Sequence, residues 1–380
     1  MVRSREWDKI VGRQGIGGHG LQASQDQDQD QRQARGDRRW LARLGSWLAV
    51  AVLALGLGGC GGGPRDRVEL TLVSLNTMKA AYSQIIPAFA ERWRQEHNGQ
   101  EVIVSQSYGP SGSQTRALID GLDGDVVHLG LGLDVEKLEE TGLIDPGWEA
   151  ELPNQSVPTT SVVALIVRDG NPKQIEDWED LIRPDVSILT PDPKTSGAAR
   201  WTFLALWHAA SDRGEAAAEA FVKQVYRNAP LLPRDAREAT GIFYKQRRGD
   251  VLVNYENEAI LAALNGEELP YLVPRRNVEI ANPVAIVDRY VERHGNREVV
   301  EAFVRFLFTP EAQRAFAATG FRSIDPAIAA TPALAATHPA VDNPATAADF
   351  GGWSAIQKKF FESGGTFDRI RQQLAANRDR

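Results

Sequence analysis

The chain has 380 residues, with 43 Lys and Arg against 50 Asp and Glu, a formal net charge of −7. That balance argues against a nucleic-acid partner, whose phosphates Lys and Arg would have to neutralise, and against docking on an anionic membrane surface. A single cysteine leaves no disulfide framework and no thiolate metal site.

Residues 1–37 are polar and biased, with QDQDQDQ at 25–31, and read as a disordered N-terminal extension. Arg38-Arg39-Trp40 then precedes SWLAVAVLALGLGG, a 14-residue apolar run from Ser46 to Gly59. It is too short to span a bilayer and suits the core of a signal peptide. Leu57-Gly58-Gly59-Cys60 resembles a bacterial lipobox. The reading is a signal peptide over 38–59, Cys60 as lipid anchor and first residue of the exported chain, and a linker over 60–67. Residues 1–59 carry 9 basic and 6 acidic residues, so 34 Lys and Arg and 44 Asp and Glu remain, a net charge of −10.

VELTLVSL (68–75) alternates apolar and polar residues and predicts a strand. Met78 to His97 is helical in pattern, with Pro87 expected to kink it. EVIVSQSY (101–108) predicts a strand and Ser111–Leu122 a short helix. DVVHLGL (125–131) is apolar on both faces, as inside a parallel sheet. VEKLEETGLI (135–144) predicts a helix ended by Gly142. TSVVALIVR (160–168) is a long apolar strand. VSILTP (186–191), helices from Gly197 to Ser211 and from Ala216 to Asn228, LLP (231–233), a helix from Ala236 to Arg247, DVLVNYENEA (250–259) and the strand PVAIVD (283–288) follow. Alternating strand and helix predicts an α/β architecture with parallel sheets. Two similar blocks suggest two lobes.

Four strand-to-helix junctions share one design: Ser74-Leu75-Asn76-Thr77, Gly109-Pro110-Ser111-Gly112, Thr195-Ser196-Gly197-Ala198 and Arg234-Asp235-Ala236. Each sets a small polar residue where an N-cap belongs. Each helix start carries unpaired N–H groups and a partial positive charge, which favour an anion. Ligands of open α/β sheets bind beyond the carboxyl ends of strands, where these turns lie. Catalytic readings fail. Gly109-Pro110-Ser111-Gly112-Ser113 has Ser113 where a nucleophile elbow has glycine. His97, His128, His208, His294 and His338 form neither H-x-x-x-H nor H-E-x-x-H, so no metal site is expected. Gly130-Leu131-Gly132 lacks the third glycine of a dinucleotide fingerprint, Val135 standing there. His128, in an apolar strand, reads as a core histidine, and Trp201, Phe203, Leu204 and Trp207 as the buried face of a helix. Tyr255 follows a buried strand and is placed to present its hydroxyl to a cleft.

VSLNTMKAAY, SQSYGPSGSQTRALIDGLDGDVVHLGL, LTPDPKTSGAARW, RDAREATGIF, GDVLVNYENEA, NPVAIVD and FGGWSAIQKKFFESGGTFD run in order through nearly all of residues 68–370. Together they closely resemble the bacterial sulfate-binding proteins, the extracytoplasmic component of sulfate/thiosulfate ABC importers. The resemblance implies an α/β fold of the two-lobed type II periplasmic binding protein kind, each lobe a mainly parallel sheet flanked by helices, with the ligand in the interlobe cleft. Lobe I would comprise 68–159 plus 283–375 and lobe II 160–282, with hinges near Thr160 and Asn282. It further implies a periplasmic monomer without cofactor that delivers sulfate, or thiosulfate, to a permease and its ATPase.

In that family neutral donors alone hold a dehydrated sulfate. By position, these would be the backbone N–H of Asn76 and Ser111, the hydroxyl of Ser196, the backbone N–H of Gly197, Ala198 and Ala236, and the phenol of Tyr255 where the family has an indole. Asn76 stands where many relatives have Asp, Ala198 where Gly is common, and Pro110 is a further departure. A site made only of donors leaves the proton of monohydrogen phosphate without an acceptor and so rejects phosphate. That holds if Asp192 and Asp235 face turn backbone, as expected here, while Lys194 and Arg200 brace the turns. The alternatives are a binding protein for another oxyanion, such as thiosulfate, molybdate or phosphate, and a lipid-anchored sulfate sensor.

Overall fold

The computed structural model describes residues 67–376. The extension 1–37, the signal segment 38–59, Cys60 and the linker up to residue 66 lie outside the described residues. The first sheet is built on β1 (Arg67–Leu75), which pairs in parallel with β2 (Glu101–Gly109) and β3 (Val126–His128). β10 (Val284–Ile286) adds antiparallel to β3, giving the order β10-β3-β1-β2. Helix α1 (Lys79–Glu96) runs on through Pro87. Its buried residues Ala81, Tyr82, Ile85, Phe89 and Trp93 recur every three or four positions and so share one face. That face meets Phe303 and Phe316, from helices over 297–306 and 310–317 beyond the last strand read from the sequence.

A small antiparallel sheet, order β11-β4-β9, joins β4 (Thr159–Ser161), β9 (Ile280–Asn282) and β11 (Arg322–Ser323). The chain leaves the first sheet through β4 and returns through β9, with Thr160 opposite Ala281. The third sheet holds β5 (Val163–Val167), β6 (Ile188–Leu189), β7 (Val251–Tyr255) and β8 (Tyr271–Leu272) in the order β6-β7-β5-β8. Every residue of β5 and β7 is buried. β6 and β7 run parallel, but β5 is antiparallel to both its neighbours, unlike the mainly parallel sheet expected. The cause is topological. Only Val162 separates β4 from β5, so β5 runs away from the crossover, whereas β7 runs back toward it and ends opposite Val163. The stretch 250–259 divides at Tyr255, with a helix over Glu256–Leu264 after it.

Residues 283–375 were expected together in the first lobe. The structure splits them. Trp353, Ile356, Phe360, Phe361, Phe367 and Ile370 enter the core around Phe203, Trp207 and Tyr226, beside the third sheet. Ring centroids lie 4.8 Å apart for Trp207 and Phe360, 5.1 Å for Phe203 and Phe361 and 5.3 Å for Tyr226 and Phe367. The reason is helix α4 (Gly197–Ala210; α2 and α3 are Ser111–Ile119 and Gly132–Glu140), which is buried on nearly all sides. An apolar helix of that kind needs cover beyond the sheet it packs on, and the late aromatic segment supplies it.

Candidate functional site

Three helix N-termini and the end of β1 meet at one small cavity. Its lining residues are 75–77, 109–111, 130, 196–198 and 235–237. Its volume of about 20 Å³ slightly exceeds the ~10–15 Å³ one water requires, so it suits a compact ion and not a sugar or nucleotide. Six of the seven residues expected from the sequence line it: Asn76, Ser111, Ser196, Gly197, Ala198 and Ala236. Close approach of the walls demands small residues. A Cβ on Gly197 would stand 3.1 Å from Leu131 Cγ and 3.4 Å from Ser111 Cβ, and one on Gly130 3.5 Å from Ser111 Cβ. Trp201, otherwise a core residue as expected, spans the walls by donating its indole N–H to the Gly130 carbonyl at 2.9 Å.

Each helix start is held by its own cap. Ser196, extended at φ −111°, accepts the Ala199 N–H at 3.3 Å, so α4 offers the N–H groups of Gly197 and Ala198 unpaired within the helix. The Ser196 hydroxyl proton has no acceptor among the described residues. Asp235 caps helix α6 (Ala236–Gln246; α5 is Glu215–Arg227) by accepting the Glu238 N–H at 2.8 Å. Ser111 opens α2 after Pro110, whose extended backbone starts the helix. Its hydroxyl is already committed, donating to the buried Asp134 carboxylate at 2.6 Å and accepting the Gly130 N–H at 2.9 Å. Only the Ser111 backbone N–H is left for a ligand.

The nearby cations serve the scaffold. Lys194 donates to the Phe361 carbonyl at 3.0 Å and pairs with Asp368 at 2.7 Å. Arg200 donates to the Pro193 carbonyl at 3.0 Å and lies over the Phe361 ring. Arg237 pairs with the buried Glu258 at 2.8 Å, which also accepts the Thr240 hydroxyl at 2.7 Å. The cavity is therefore lined by helix N-termini and by Ser196 and Thr77, with Asp235 and Arg237 also at its wall, and each nearby cation has a partner for at least one of its nitrogens.

Three residues depart from expectation or were not foreseen. Tyr255 does not line the cavity; its ring is fully buried in the core beside the third sheet. Its hydroxyl forms no hydrogen bond, with the Asn282 side chain as polar neighbour, and burial pushes its pKa up, so it stays protonated. Asp192 faces turn backbone as expected, accepting the Lys194 N–H at 2.9 Å. Asp235 does so with one oxygen only; the other reaches across the cleft and accepts the Asn76 amide at 2.9 Å. Thr77 also lines the cavity, with its hydroxyl buried and unpartnered. The small polar junction Leu75-Asn76-Thr77 was the only signal of it in the sequence.

His128 is a satisfied core histidine. Its Nδ1 accepts from the Tyr82 hydroxyl at 2.7 Å and its Nε2–H donates to the Asn282 carbonyl at 3.1 Å, a tautomer assigned from these partners. Burial pushes its pKa down to about 3, so it is neutral. Among the described residues no cluster of three or more His, Cys, Asp or Glu is placed to hold a metal, and no helix is long and apolar enough to cross a membrane.

The family model for bacterial extracellular solute-binding proteins matches residues 70–322. A sulfate-binding protein of Synechococcus elongatus is 49% identical over 88% of this chain and 98% of its own length. A thiosulfate-binding protein of Pseudomonas aeruginosa is 37% identical over 85% of this chain and 98% of its own. Among solved structures, the sulfate-binding protein SubI of Mycobacterium tuberculosis superposes with a TM-score of 0.70 at 36% identity, covering 78% of this chain and all of SubI.

Proposed function

Since the chain belongs to the bacterial extracellular solute-binding protein family, with sulfate-binding proteins among its relatives, we propose that it captures sulfate in the periplasm and delivers it to an ABC permease and its ATPase. It is a binding protein and not an enzyme. The observation that carries this reading is the convergence of three helix N-termini on one small cavity, whose lining cation, Arg237, is paired with the buried Glu258. Burying a doubly charged ion requires that its oxygens be hydrogen-bonded. Helix dipoles and unpaired N–H groups supply those bonds without a counter-charge.

The proposed donors are the backbone N–H groups of Asn76, Ser111, Gly197, Ala198 and Ala236 and the hydroxyls of Ser196 and Thr77. Tyr255 is left behind the cavity wall. The two lobes would be the bodies around the first and third sheets, hinged at β4 and β9, closing on the ligand. The C-terminal segment from Trp353 moves with the second. Cys60 is proposed as the lipid anchor.

The test is a competition titration by calorimetry with sulfate, thiosulfate, molybdate and phosphate. Sulfate should bind one per chain and phosphate more weakly, because the one carboxylate lining the cavity, Asp235, already accepts the Glu238 N–H and the Asn76 amide and so offers a poor acceptor for the phosphate proton. Phosphate binding as tight as sulfate overturns the reading. Thiosulfate is the second ligand to expect, given the thiosulfate-binding relative.

A further inference from the structure

We propose that Asn76 and Asp235 form a clasp across the mouth of the cleft that holds its walls together over the bound anion. This rests on the sulfate-binding reading and adds a residue pair that sets how fast the ion leaves. The Asn76 amide Nδ2 donates to Asp235 Oδ2 at 2.9 Å, between residues 159 positions apart in sequence. Asn76 follows β1 on the first wall, and Asp235 caps α6 on the second. The acceptor is fixed beforehand. Asp235 Oδ1 holds the Glu238 N–H at 2.8 Å, and the Glu238 carboxylate in turn accepts the Arg234 N–H at 2.9 Å. The carboxylate therefore meets the amide without reordering itself, which lowers the entropic cost of the contact.

Its place in the cleft points to a gate. Outside the inner cavity lies a wider recess lined by Asn76, Lys79, Arg234, Asp235, Arg237 and Glu238. Inner cavity and recess share Asn76, Asp235 and Arg237, so the bond lies on the passage between them. It forms only when the walls meet and must break before they part. The pairing also explains why asparagine suits this chain at position 76. An aspartate there would set two carboxylates face to face in a half-buried site, a repulsive contact.

The experiment is stopped-flow release of sulfate from the full exported chain, with thermal unfolding of each variant as control. Asn76→Ala keeps every backbone donor and touches no cap. It should raise the release rate on the order of tenfold, the effect of losing one charge-assisted hydrogen bond, with the association rate little changed. Asp235→Asn retains an N-cap residue and should raise release less. Combined with Asn76→Ala it should add nothing further, as expected of two partners in one bond. Asn76→Asp should release sulfate fastest. Release from Asn76→Ala within twofold of the parent, or additive effects in the double variant, overturns the clasp. A parent chain that fails to bind sulfate in calorimetry sinks the function reading instead, so the two failures are distinct.

Discussion

The two walls of the cleft are built from the same device, a helix N-terminus behind a strand, yet they spend their side chains differently. On the first wall the Ser111 hydroxyl is tied to Asp134 and Gly130, and the Asn76 amide to Asp235. That wall is left with backbone N–H groups, apart from the unpartnered hydroxyl of Thr77. On the second wall Ser196 only accepts, from Ala199, and its hydroxyl proton has no acceptor among the described residues. Serines that look equivalent in the sequence, each at a strand-to-helix junction, thus differ in kind. One is tied into the fold by two hydrogen bonds, and the other leaves its hydroxyl proton without an acceptor among the described residues.

That contrast can be broken by three substitutions. Ser196→Ala should weaken sulfate binding by about 1.5–3 kcal/mol, the range for a hydrogen bond to a charged group. It should also lower stability by about 0.5–2 kcal/mol through loss of the cap. Calorimetry that finds unchanged affinity removes Ser196 from the site. Thr77→Val, which keeps the shape and deletes the hydroxyl, should weaken binding by about 1 kcal/mol. No effect would leave the first wall a purely backbone surface and sharpen the contrast. Ser111→Ala should alter affinity by under about 0.5 kcal/mol while lowering unfolding stability by about 1–3 kcal/mol, since Asp134 would be left buried without its shortest partner. A large affinity loss with intact stability would erase the distinction between the walls.

The junction residues were legible in the sequence because capping and close approach restrict residue type locally: Ser196, Gly197 and Asp235 carry their role in their chemistry. The direction of β5 was not legible, because it follows from how the chain enters the second body and not from any property of VALIV. Nor was the docking of Trp353 to Ile370 on α4, since an aromatic helix does not say which core it will join. Tyr255 was placed by analogy with an indole donor, and the all-buried strand that ends there holds its ring in the core. The cap role of Asp235 could be read locally, but its second oxygen bonds a residue 159 positions away, and local pattern is silent on such pairs.

The late segment has a consequence for biosynthesis. Trp353 packs edge-on against Trp201 with centroids 4.8 Å apart, and a Cβ on Gly132 would come within 2.9 Å of its ring. Helix α4 therefore lacks its cover until residues 353–370 have been made, some 150 residues after α4 itself. At ~5–20 residues per second, that interval lasts on the order of ten to thirty seconds of translation. Until that segment arrives the core around α4 lacks part of its cover, a state open to translocation machinery or chaperones. Arrival of residues 353–370, more than any single helix or strand, is what would commit the core around α4 to its native form.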